Sequence, residues 1–158
     1  MAKRFILVLA VLFLASLAAY GQESFIELLR SDVKTQKKAI ITEAMDFTEE
    51  QAAQFWPVYR EYEFEFAKIG DDRVALIKDF ANNYENMTDE KAKEITNKAL
   101  KIEEETFKLK KKYVGKFSKV LPATTVARFL QVENQINNLV NLQISSELPL
   151  IEPTGSQE

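Results

Sequence analysis

The stretch Phe47-Thr48-Glu49-Glu50-Gln51, with the aromatic run that follows it to Phe66, constrains the fold more than any other part of this 158-residue chain. Thr48 is an N-cap residue. Its hydroxyl can accept from the backbone N–H three residues on, and Gln51 can reach back to the N–H of Thr48, so the two make a capping box. Phe47 stands just outside the cap, placed to staple against the first turn. Phe55, Tyr59, Tyr62, Phe66 and Ile69 then recur in steps of four and three, one face of a helix. Other helices are expected to pack on that stripe. Trp56, Val58 and Phe64 fall off it, and if all three are exposed they form a patch for a partner.

Composition points the same way. Four glycines and four prolines are few. With abundant Glu, Lys, Ala and Leu, the low breaker content predicts an all-α protein of one domain. Zero Cys excludes disulfides and thiol redox chemistry, and zero His removes the commonest general base and the commonest metal ligand. The runs Asp71-Asp72 and Glu103-Glu104-Glu105 are not compact carboxylate sites, because consecutive helical residues point in different directions. No nucleophile elbow, phosphate loop or zinc-protease signature is present. The chain therefore reads as a protein that is not an enzyme, with no catalytic, cofactor-binding or metal-ligating residues and no cofactor.

Residues 1–21 read as a secretory signal peptide. Lys3 and Arg4 give the positive start, Phe5 to Leu17 the apolar core, and Ala18-Ala19-Tyr20-Gly21 the small residues before a cleavage near Gly21/Gln22. The alternative is an uncleaved anchor, but the apolar stretch is shorter than the roughly 20 residues a spanning helix needs. Export to the periplasm is the expectation, without stable membrane insertion after cleavage. Loss of Lys3 and Arg4 takes the 21 basic residues down by two, against 24 acidic ones, a balance of −5. That balance argues against nucleic acid as a partner.

Four helices are expected within a domain spanning residues 22–143. The first runs from Ser24 to Ala44, with Lys34, Lys37 and Lys38 on its polar side. The second starts at Glu49 and runs to about Ala81, kinked at Pro57 or divided there into two. Its stripe continues through Leu76, Phe80 and Tyr84, and Arg73 falls on it with its stem along the seam and its charge outside. Thr88 caps the third, a long charged helix from Asp89 to Val120. Glu103 to Glu105 lie in its middle. Lys108, Lys110, Lys111, Lys112, Lys116 and Lys119 crowd its last third, either as a steering surface for acidic partners or as a solvated face. Leu121-Pro122 breaks it, with Pro122 suited to the first helical position of a fourth helix. That helix carries Val126, Phe129, Leu130, Glu133, Ile136, Leu139 and Val140 on one face and ends near Gln143. Residues 144–158 are a tail in which Leu148 to Ile151 can dock as an extended segment, with the last five residues disordered.

Phe47-Thr48-Glu49-Glu50-Gln51 resembles the LTxxQ motif of the Spy/CpxP family of periplasmic proteins, with Phe in place of Leu. The second family motif would fall at Leu121 to Thr125, where Leu121 alone matches; Val126-Ala127-Arg128-Phe129 after it again looks similar. The resemblance covers about Ile41 to Val140. It implies a bent antiparallel helical hairpin that dimerises into a thin cradle and holds unfolded or partly folded proteins without ATP, or that damps an envelope stress-sensor protein. Phe47, Thr48 and Gln51 would be its motif residues. Related members sense metals, but without His and Cys a soft-metal sensor is not expected here. The residues set apart for a partner are Trp56, Val58, Phe64, Lys108, Lys111, Lys112 and Lys116. The alternative reading is a dedicated regulator or scaffold of a single envelope partner, such as a stress or sigma-factor signalling component, with no general chaperone activity.

Overall fold

The computed structural model describes residues 35–151. The expected leader at 1–21, the start of the first helix at Ser24 and the end of the tail lie outside the described residues. What is described is all-α, a long helical hairpin with a further helix laid along it. The chain divides after Ala44 into two units. Helix α1 covers residues 35–45. On it Ile41 is buried and Ile40 exposed. Lys37 is buried as well. The sequence reading put Lys37 on the polar side, but a residue four before Ile41 shares its face.

In the second unit α2 runs Glu49–Asn83, a 3-10 turn Tyr84–Asn86 follows, and α3 (Asp89–Phe117) and α4 (Ala123–Glu147) complete it. The capping box forms in full. The Gln51 N–H donates to Thr48 Oγ1 and the Thr48 N–H to Gln51 Oε1, both at 3.2 Å. Phe47 reaches past the first turn and lies on Phe55, ring centroids 4.6 Å apart, with the edge of Trp56 at 6.5 Å. Asp46, at φ 45°, turns the chain into the cap from the left-handed region, where Asp is among the few tolerated residues. Thr48→Ala is expected to lower stability by about 1 kcal/mol. Urea unfolding would read this as a lower midpoint at unchanged slope, and an unmoved midpoint would show that the cap contributes nothing.

α2 continues through Pro57 and Gly70 as one helix, so the divided alternative does not form. Pro57 and Ala53 are both exposed. The carbonyl that loses its donor at Pro57 therefore faces solvent, which can hydrate it. α3 ends at Phe117, three residues before the expected Val120. The Ser118 N–H closes back on Val114 O and Lys116 O, and Leu121 N–H on Phe117 O at 2.9 Å. Pro122 is the N-cap of α4 and not its first helical residue. α4 runs to Glu147, four residues beyond Gln143. No glycine or proline stands between Gln143 and Glu147, and Pro149 sets the stop.

The contacts fix the directions. Phe55 meets Phe117, Tyr62 meets Tyr113, and Asp79 meets Lys98, so α3 runs antiparallel to α2. Tyr62 meets Glu133, Arg73 meets Asn141 and Tyr84 meets Leu150, so α4 returns parallel to α2. α2 and α3 approach backbone to backbone, whereas α4 is held mainly through its side chains.

Candidate functional site

The first half of the stripe on α2 becomes core, whereas Phe66, Ile69, Leu76, Phe80 and Tyr84 are half-buried. Phe55, Tyr59 and Tyr62 are buried, as are Tyr113 and Phe117 of α3 and Val126, Phe129 and Ile136 of α4. Phe129 is the hub. Its ring lies 4.8 Å from Phe117, 5.1 Å from Phe55, 5.9 Å from Tyr59 and 6.3 Å from Tyr62, mostly edge-on. Edge-on and tilted pairs at these spacings set the positive rim of one ring against the negative face of another.

Glu133 sits inside this core with no exposed surface. Its Oε1 accepts from the Tyr62 hydroxyl at 2.8 Å and from Asn137 Nδ2 at 3.1 Å. The Tyr59 hydroxyl donates to Glu63 at 3.0 Å. Burial, and then the negative charge of Glu133, pushes the ionisation of both tyrosines far above the usual range. The arrangement keeps both phenols protonated and donating.

The flank of the hairpin is an ion-pair strap. Lys112 Nζ reaches both oxygens of Glu65 at 2.8 and 2.7 Å, Tyr113 donates to the same carboxylate at 2.8 Å, and Lys116 pairs with Glu61 at 2.7 Å. Near the turn, Asp79 takes Lys91 at 2.7 Å and Lys98 at 3.0 Å. The Lys112 and Tyr113 bonds hold the carboxyl of Glu65 low, and those of Lys91 and Lys98 hold Asp79 low. Their contribution is present above the ordinary carboxylate range of about 4 and fades as pH falls through the lower folded values.

These contacts rearrange the expected partner surface. Trp56 and Val58 are half-buried, and Phe64 alone of the three is open, at 68%. At about 100° per residue the three point in different directions around α2 and share no patch. Trp56 instead packs edge-on against Phe55 and Tyr59. Of the lysines, Lys112 and Lys116 strap α3 to α2, and Lys108 pairs with Glu104 on its own helix at 2.6 Å. Lys111 is exposed and makes no ion pair among the described residues. Three of these four lysines thus have a carboxylate partner. Leu139, expected on the core face of α4, is exposed, because it stands well around the helix from Glu133.

What stays open is apolar and distributed. Phe64 projects from the outer side of α2, with Lys68 over its ring at 4.6 Å. Leu100 and Phe107 project from α3 seven residues apart on one outward line, and Leu139 and Leu142 from α4. The sequence reading missed Leu100 and Phe107. Their signal was a second, weaker seven-residue repeat opposite the core stripe. Among the described residues no three acidic side chains gather to hold a metal ion, and no helix is long and apolar enough to cross a membrane. Comparison with known proteins brings no match: no family model fits the chain, and no curated protein and no solved structure is significantly similar to it.

Proposed function

We propose that this chain is an exported binding protein of the periplasm that holds partly unfolded polypeptides without ATP, similar in kind to the Spy/CpxP chaperones and stress adaptors. The observation that carries the reading is the open apolar side chains on all three helices of the second unit, Phe64, Leu100, Phe107, Leu139 and Leu142, outside a core that is already complete. Scattered apolar side chains are ordinary on any surface. Here they recur on the exposed faces of long helices among paired charges. That suits loose contact with many apolar segments better than one shape-matched interface. The leader-like first 21 residues and the LTxxQ-like capping box support the same reading.

The test is light scattering of a chemically denatured client diluted into buffer with and without the purified protein, ATP absent. Suppression near one chain per client is expected. A Phe107→Glu, Phe64→Glu double variant should keep its helical circular dichroism and lose most of the effect. No suppression at large excess would overturn the reading. A single stoichiometric partner in a pull-down would then identify a dedicated envelope regulator.

A further inference from the structure

Beyond the aromatic core, toward the turn end of α2, the three helices line an open groove of about 540 Å³. That size lies within the roughly 300–1,000 Å³ of ordinary ligand sites. Leu76 and Ile77 of α2, Ile102 of α3, and Leu142 and Ile144 of α4 give it an apolar lining. Leu142 is 67% exposed. Two charges stand in the same lining, Arg73 from α2 and Glu103 from α3. Among the described residues neither makes an ion pair. The guanidinium of Arg73, half-buried, donates at 2.6 Å to the neutral amide of Asn141. This contrasts with the flank of the hairpin, where Glu61, Glu65 and Asp79 all have lysine partners. Asn138, Asn141 and Ser145 add amide and hydroxyl groups from α4.

We propose that this groove is a polypeptide-binding site for an apolar segment that carries one acidic and one basic side chain. The inference rests on the client-holding reading and adds to its distributed contacts one site with a preferred sequence. The choice of occupant follows from charge. A one-headed anionic amphiphile would satisfy Arg73 and bring its own charge toward Glu103, and a cationic one would do the reverse. An occupant with both signs compensates both groups. A polypeptide also brings main-chain N–H and C=O groups that the row of Asn138, Asn141 and Ser145 can meet, while its apolar residues cover Leu142.

The test measures fluorescence anisotropy of labelled peptides of leucine, valine and phenylalanine with the full chain. One carries aspartate and lysine near its two ends, one asparagine and glutamine at those places, one two lysines and one two aspartates. The aspartate–lysine peptide is expected to bind about three- to tenfold tighter than the uncharged one. Arg73→Glu should move the preference to the two-lysine peptide, and Glu103→Lys, on an exposed position, to the two-aspartate peptide. Retained helical circular dichroism excludes unfolding as the cause. Charged and uncharged peptides binding alike, no peptide binding at all, or an unchanged order in both variants would overturn the assignment. If client aggregation is still suppressed while the peptide series is flat, the groove falls and the holding function stands. The expected peptide order without any suppression leaves the groove a peptide site and removes the holding function.

Discussion

Phe129→Ala is expected to lower folding stability by about 3–5 kcal/mol, the range for emptying a buried aromatic site. The ring is buried and meets four others from two helices. Removing it leaves a void that Phe55 and Phe117, stacked on each other at 5.2 Å, can only partly fill. It also strips α4 of its main apolar attachment to the hairpin. Thermal melting should fall by about 10–20 °C. Phe64→Ala, at an open site, should change stability by no more than about 0.5 kcal/mol. A loss under about 1 kcal/mol for Phe129→Ala would show that α4 is not held by this hub.

The second large effect is alkaline. Tyr59 and Tyr62 keep their protons in the folded protein well beyond the point at which they ionise in the unfolded chain, near pH 10. Below that pH both states carry both protons, and the tyrosines add no pH dependence. Above it the unfolded chain releases protons that the folded chain retains, so stability falls as pH rises. Each retained proton contributes a slope of about 1.4 kcal/mol per pH unit, so the pair gives about 2.7. Urea midpoints taken at steps above pH 10 would measure it. Tyr59→Phe should remove about 1.4 kcal/mol per pH unit from the slope. Tyr62→Phe should do the same and also lower stability at neutral pH, since it takes the hydroxyl donor from the buried Glu133 carboxylate. A slope untouched by both substitutions would locate the alkaline sensitivity elsewhere.

Much of this architecture is legible in the residues. The capping box needs only Thr48 and Gln51, three apart, and it forms as read. The stripe Phe55, Tyr59, Tyr62 is local periodicity, and periodicity is what sequence records best. Glu133 was visible as an acid on an apolar face, but the hydroxyl that makes its burial tolerable comes from 71 residues away, and nothing local announces it. The same applies to the lysines. A cluster at Lys108 to Lys116 reads as a basic surface until Glu61 and Glu65 are brought opposite by the hairpin. Helix ends were the weakest part. Val120 loses its place in α3 because the chain closes a turn on Phe117 and Val114, a competition that side-chain spacing does not reveal. The partner residues Trp56, Val58 and Phe64 were grouped by being off the stripe. Being off one line does not put side chains on another.

The way α4 is attached has a consequence for amide hydrogen exchange. Its first half is fastened by Phe129 and Glu133. Beyond the buried Ile136, its second half is hydrogen-bonded to the hairpin by Arg73 on Asn141 and, just past its end, by the Tyr84 hydroxyl on Leu150 O at 3.0 Å. α2 and α3, by contrast, meet along a continuous seam closed by the Asp79 clasp. Protection should therefore be graded along α4. Amides from about Asn138 onward should exchange through small local openings and those near Phe129 only with the whole unit. The wall of the groove would then swing at little cost, while the hairpin beneath it keeps its register.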